Sequence, residues 1–350
     1  NANFKNGGPL LTVGVIGCGY WGPNLIRNFI NLKAADVKIC SDINEGRLEH
    51  MKRLYPSIAT TTDYKDIIRD ESIDAVVIAT PVSTHYLLAA EALEAGKHVF
   101  CEKPLTQSVE EGVKLVDLAD EKGRTLMVGH TFVYTAAVNK VRDLINSGEL
   151  GDIYYMSTAR VNLGLFQEDI NVVWDLAPHD VSIMNYVLGT RPVAVSAVGH
   201  SYIQPGIQDV SFVTMRYPGS ILTNLHVSWL NPNKIRSTTV VGSKKMMVYD
   251  DISSLEKIRI YDKGVDVIPH YDTFGEFQLS YRYGDIHIPK LDEAEPLKIE
   301  CQHFIDCIEG TDPQSSGRHG LEVLIVLDAI DRSMKQNGAE IEIEYPETLG

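Results

Sequence analysis

The chain has 350 residues, more than one ordinary domain holds and comfortable for two. A formal net charge of −15 excludes the basic field that a nucleic acid or an anionic membrane surface requires. Hydrophobic residues make up 44%, and no apolar run approaches the roughly 20 residues of a membrane span.

The five cysteines are Cys18, Cys40, Cys101, Cys301 and Cys307. None shows CxxC spacing, so reduced thiols of a cytoplasmic protein are expected and no metal site is. Residues 1–9 are polar, carry no signal-peptide pattern and are left out of the fold reasoning.

The first apolar run, 11–16, reads as a strand. It leads into Gly17-Cys18-Gly19-Tyr20-Trp21-Gly22. Gly17 allows the tight turn, Gly19 admits a pyrophosphate close to the backbone, and Gly22 lets the next helix pack on the sheet. Leu25, Ile26, Phe29 and Ile30 recur at helical spacing. The helix N-terminus offers free N–H groups to phosphates. Strand 37–40 follows, and Asp42 stands twenty positions after Gly22, placed to accept both ribose hydroxyls. Its carboxylate repels a 2′-phosphate, so NAD is expected over NADP; Arg47 nearby works the other way.

Further strands are expected at 75–79, 98–101 and 125–128, with helices at 84–95 and 108–122. Strands alternating with helices predict a parallel, doubly wound α/β Rossmann domain over 10–130. Beyond it the pattern changes. A helix is expected at 138–147, a strand at 154–162 and a long helix at 178–188. Strands at 210–217, 222–229, 237–241, 245–249 and 257–261 alternate with period two, with a turn at Gly242-Ser243. A last helix at 320–334 precedes a strand at 340–344. Residues 131–350 therefore read as an α+β domain with a large, mostly antiparallel open sheet. Covering its second face with another copy predicts a homodimer or homotetramer.

Three segments carry candidate chemistry. Thr80, Pro81 and His85 lie where the third strand ends, beside the expected cofactor cleft. Glu102-Lys103-Pro104 follows strand 98–101, where an ammonium points into the ligand crevice. Asp175 and His179, four apart, share a helical face if the first turn includes Asp175, and an acid so placed orients an imidazole for acid–base work. Pro178 suits a first turn, so the helix is expected to open there. The same residues also suit a packed His85, a solvated Lys103 and a capping Asp175, and these readings stay open.

The order of GxGxxG, ATPxxxH, GKHVFCEKPL and DxxxH resembles the Gfo/Idh/MocA oxidoreductase family over nearly the whole chain. The resemblance implies NAD(P)-dependent oxidation or reduction at a carbon of a sugar, cyclitol or nucleotide sugar. It also implies a C-terminal sheet that mediates oligomers, a catalytic Lys103, and Asp175 and His179 as the substrate-side pair. The implied cofactor set is Gly17, Gly19, Tyr20, Trp21, Gly22, Asp42, Thr80, Pro81, His85, Glu102 and Lys103. Asn171-Val172-Val173-Trp174 replaces the glycine-rich stretch many members carry before DxxxH, which leaves the substrate open. Tyr134, Asn139, Arg160 and Asn162 are the expected substrate contacts, with Lys103 and His179 exchangeable as principal acid and base. The competing readings are a non-catalytic NAD(P)-binding sensor, an inositol dehydrogenase and an amino-acid dehydrogenase of similar plan.

Overall fold

The computed structural model describes residues 10–266, 280–292 and 294–350. Their packing divides into two compact units. Residues 10–134, 294–324 and 346–350 form the first, and residues 135–292 and 325–345 the second.

The first unit opens with β1 (Leu11–Ile16), α1 (Gly22–Ile30), β2 (Ala35–Ser41), α2 (Glu45–Leu54) and β3 (Ala59–Thr61). Next come α3 (Lys65–Arg69), β4 (Ala75–Ile78), α4 (His85–Glu94), β5 (His98–Glu102), α5 (Val109–Lys122) and β6 (Leu126–Gly129). The six strands are parallel in the order β3-β2-β1-β4-β5-β6. The order reverses between β1 and β4, which opens a crevice at their carboxyl ends.

After β6 come α6 (Ala136–Asn146), β7 (Ile153–Val161), α7 (Val172–Leu188), β8 (Ala194–His200) and β9 (Val210–Arg216). Then follow β10 (Leu222–Ser228), β11 (Ile235–Gly242), β12 (Met246–Asp250), β13 (Ile258–Asp266) and β14 (Ser280–His287). The chain closes with α8 (Pro296–Ile308), α9 (Gly317–Lys335) and β15 (Ile341–Glu342). The second unit's nine strands run β14-β13-β12-β11-β7-β10-β9-β8-β15. All neighbours are antiparallel except β7 and β10. Along β9, buried Ser211, Val213 and Met215 alternate with exposed Phe212, Thr214 and Arg216. One face of this sheet is thus apolar and covered and the other open.

A single cut after residue 130 does not describe the packing. Phe29 of α1, Phe100 of β5 and Phe304 of α8 meet edge to face with centroids 5.6–6.4 Å apart. The Val128 N–H donates to the Ser315 carbonyl at 2.8 Å, and Met127 bridges Ser316. The late segment thus completes the first unit's core and covers the edge of β6.

The long helix of the second unit also begins earlier than Pro178. The Asn171 side chain accepts from the N–H groups of Val173 (3.0 Å) and Trp174 (3.2 Å), so the helix opens at Val172. Pro178 lies inside α7 and offers no N–H to the Trp174 carbonyl. The terminal strand shrinks to Ile341–Glu342, paired with β8. Among the described residues no helix is long and apolar enough to cross a membrane.

Candidate active site

The glycine turn is built by close approach. Gly17 has φ +98°, and a Cβ there would meet the Ala79 carbonyl oxygen at 2.5 Å. A Cβ on Gly22 would lie 2.0 Å from the Gly17 carbonyl oxygen, so only glycine lets α1 start against the turn. Gly19 is different: a Cβ there would meet only the Arg47 guanidinium, at 3.8 Å, which leaves open space over the turn. Helix α1 has no side-chain cap, so its first N–H groups stay available to an anion.

Asp42, just past β2, is buried and holds this turn. Its Oδ2 accepts from the Cys18 N–H at 2.7 Å and its Oδ1 from the Asn44 N–H at 2.9 Å. Oδ1 keeps a lone pair for a ribose hydroxyl, and Oδ2 offers a second where the long Arg47 contact gives way. Arg47 Nη1 reaches Asp42 at 3.4 Å. Tyr20, 81% exposed, packs edge to face on Trp21 at 5.3 Å, beside the open turn. An open glycine turn, an uncapped helix end and a fixed carboxylate are the donor set a dinucleotide needs, and these residues fit it.

Thr80 and Pro81 lie just past β4, and the Thr84 hydroxyl donates to the Thr80 hydroxyl at 2.7 Å. His85, expected at the cofactor, lies between two turns. It is buried, with Nδ1 2.8 Å from the Pro104 carbonyl and Nε2 2.9 Å from the Thr80 carbonyl. Both partners are acceptors, so the neutral ring donates its one N–H to one carbonyl at a time, and the imidazolium would donate to both. Burial holds its pKa below the ordinary range, against the pull of those carbonyls. Half-buried Lys103 follows Glu102 at the carboxyl end of β5, with a cis peptide to Pro104.

Tyr134, expected as a substrate contact, ends the first continuous segment of the first unit. It is buried, its hydroxyl 3.0 Å from Ser315 Oγ, and burial pushes its pKa up.

In the second unit, the early start of α7 puts Asp175 in its first turn, so Asp175 and His179 share one face. The Trp229 indole N–H donates to Asp175 Oδ2 at 2.9 Å. A Cβ on Gly164 would meet Trp229 Cδ1 at 3.0 Å and Asn162 Nδ2 at 3.3 Å. Asn162, Trp229 and Asp175 therefore cluster. Asn139 and Arg160 do not join them. The Asn139 amide accepts from the Tyr186 hydroxyl at 2.7 Å and donates to the Thr135 carbonyl at 3.0 Å. Arg160 is buried in a two-pronged pair with Asp180, at 2.6 and 3.1 Å. Period-two alternation gave Arg160 its face but not this partner, one residue past His179. Trp229, Asp180 and Asn171 had no signal in the sequence, because each acts through a contact distant in the chain or through helix geometry.

Residues 11–130 match the family described as oxidoreductase family, NAD-binding Rossmann fold, and residues 138–248 match the GFO/IDH/MocA C-terminal domain. An inositol 2-dehydrogenase of Rhodococcus erythropolis is 30% identical over 276 residues, 76% of this chain and 80% of that protein. The uncharacterized oxidoreductase YrbE of Bacillus subtilis is 27% identical over 205 residues, 57% of this chain and 60% of that protein's length. The WlbA dehydrogenase of Bordetella pertussis, solved with NADH and UDP-GlcNAcA, has a TM-score of 0.80 at 22% identity, covering 96% of this chain and 99% of its own. With both of its domains matched in order on a six-stranded Rossmann sheet and a nine-stranded open sheet, the chain belongs to the GFO/IDH/MocA oxidoreductase family.

Proposed function

We propose that the protein is an NAD-dependent dehydrogenase acting on a secondary alcohol carbon of a sugar or cyclitol. The observation that carries this reading is the Asp175–His179 pair on one face of α7, with Asp175 fixed by the Trp229 indole at 2.9 Å. A sensor that only binds NAD has no use for an oriented acid–histidine pair. The likeness to an inositol 2-dehydrogenase supports a polyol substrate.

The first unit holds the cofactor through the turn 17–22 and Asp42. NAD, when bound, supplies the hydride acceptor. His179 takes the hydroxyl proton, Asp175 orients the ring and stabilises the imidazolium, and Lys103 stabilises the developing oxyanion. Asn162, beside Trp229, contacts the substrate. The open face of the nine-stranded sheet joins copies of the chain into a dimer or tetramer. Five free cysteines, all buried, suit a cytoplasmic setting.

NADH absorbance grows when NAD⁺ is mixed with the right member of a panel of sugars, cyclitols and nucleotide sugars. Lys103→Ala and His179→Ala each lower turnover by about 10²–10⁴ while leaving NAD affinity nearly intact. A flat trace across the whole panel, or loss of NAD binding in step with turnover, overturns the reading.

A further inference from the structure

The opening of α7 is held by a residue far along the chain. The Asn171 oxygen caps the helix, and the nitrogen of the same amide points the other way. It donates to Asp331 Oδ1 at 3.0 Å and to Gln208 Oε1 at 3.3 Å. The second oxygen of Asp331 accepts the Trp174 indole N–H at 2.7 Å. Asp331 lies late in α9, 157 positions after Trp174. One carboxylate thus takes a donor on each of its oxygens, from the cap residue and from the residue just before Asp175. Hydrogen bonds to an ionised acceptor are roughly twice as strong as neutral ones, and a two-oxygen grip fixes geometry as well as energy.

Asp175 is also reached from a second side. Its Oδ2 accepts from the Trp229 indole, and Trp229 follows β10 directly. The Trp229 peptide N–H donates to the Asp209 carbonyl at 2.9 Å. Asp209 is itself buried, and its Oδ2 accepts from the N–H groups of Tyr202 (2.7 Å) and Ile203 (2.9 Å). The indole is therefore carried by backbone contacts that do not involve Asp331. Asp175, in contrast, rides on the first turn of α7, its N–H 3.2 Å from the Asn171 carbonyl. The first N–H groups of a helix lack intrahelical partners, so that turn keeps its shape only as well as its cap is held.

We propose that Asp331 is a positioning residue: by gripping Asn171 and Trp174 together it sets the first turn of α7, and with it the place of Asp175 against the Trp229 indole. Its effect on turnover rests on Asp175 and His179 being the reacting pair, as proposed above. A group that orients an acid–base side chain costs rate when it shifts by a fraction of an ångström, and leaves binding largely alone.

The chain has three tryptophans, Trp21, Trp174 and Trp229, so a ¹⁵N–¹H spectrum of the full chain with NAD carries three indole cross-peaks, which single Trp→Phe variants assign. Asp331→Ala moves the Trp174 peak, which loses its acceptor, and also the Trp229 peak, because Asp175 moves away from that indole. Asp331→Asn keeps one acceptor oxygen and moves the Trp229 peak less. In step with these shifts, kcat falls by about 10–10²-fold in Asp331→Ala and by less in Asp331→Asn, with KM nearly unchanged. If Asp331→Ala does not fold, Trp174→Phe removes one of the two donors and must still move the Trp229 peak. A Trp229 peak that stays in place in these variants leaves Asp331 as an anchor for its own donors alone and overturns the proposal. A shifted Trp229 peak with kcat unchanged keeps the positioning and overturns Asp175 as a reaction group instead. The spectrum needs no substrate, so it decides even where no member of the sugar panel is turned over.

Discussion

Trp229 and Asp180 show how much of a site is decided by single side chains. The Trp229 indole is the donor that fixes Asp175 Oδ2 at 2.9 Å. Trp229→Phe keeps a ring in the buried space and removes only that donor, leaving a carboxylate oxygen short of a partner. A loss of about 1–3 kcal/mol follows, roughly a five- to 150-fold fall in kcat/KM. Steady-state kinetics unchanged from the wild type would show that Asp175 is held by other means. Asp180 answers for stability: its carboxylate takes Arg160 Nε at 2.6 Å and Nη2 at 3.1 Å inside the second unit. Asp180→Ala removes one partner of a buried pair, which costs about 3–5 kcal/mol and is read directly by urea unfolding. A cost near zero would mean that the guanidinium finds water after all.

At the scale of the element, α7 depends on the residue just before it. Asn171 caps the N–H groups of Val173 and Trp174, and its amide donates to Asp331 Oδ1 at 3.0 Å. Asn171→Ala lowers stability by about 0.5–2 kcal/mol, and thermal melts measure it. It lowers kcat as well, because Asp175 sits in the turn that frays. Helix α9 gives a pH dependence. Burial depresses the His319 pKa to about 4 from a model-peptide value of 6.5. Below pH 6.5 the unfolded chain takes up a proton that the folded chain refuses, so stability falls as pH drops from 6.5 toward 4. The full effect is about 3 kcal/mol. His319→Phe flattens this part of the stability–pH curve; an unchanged slope would assign it to other groups.

The elements also show what the sequence discloses. The glycine turn and the strand before it are local chemistry, and the strand is found over Leu11–Ile16 as its pattern predicts. The start of α7 was less readable, because Pro178 resembles a first-turn proline while the asparagine that sets the boundary lies seven residues earlier. Alternation along β7 put Arg160 on a face and was silent about Asp180. Tyr134 and Asn139 look like free polar groups in the chain, but their partners Ser315 and Tyr186 lie far from them in sequence. Glu300, fully buried on α8, gives no sign of itself, since a glutamate in an amphipathic helix ordinarily faces water.

For the molecule as a whole, the proposed association of copies rests on the open sheet face. Phe212 is 49% exposed and stacks on His226 with centroids 4.3 Å apart, on the exposed face of β9. Phe212→Glu shifts the sedimentation coefficient toward that of the monomer if this face joins copies of the chain. A coefficient equal to that of the wild type would move the interface elsewhere. The discontinuous first unit has a different effect, felt during synthesis. Its strands are complete at Gly129, yet the third ring of its aromatic core arrives with Phe304, 175 positions later (304 minus 129). At about 5–20 residues per second, a nascent chain leaves Phe29 and Phe100 unsealed for roughly ten to thirty-five seconds. Ribosome-bound chains halted before residue 300 should therefore be cut by protease within this segment and retained by chaperones, and chains released past residue 324 should not.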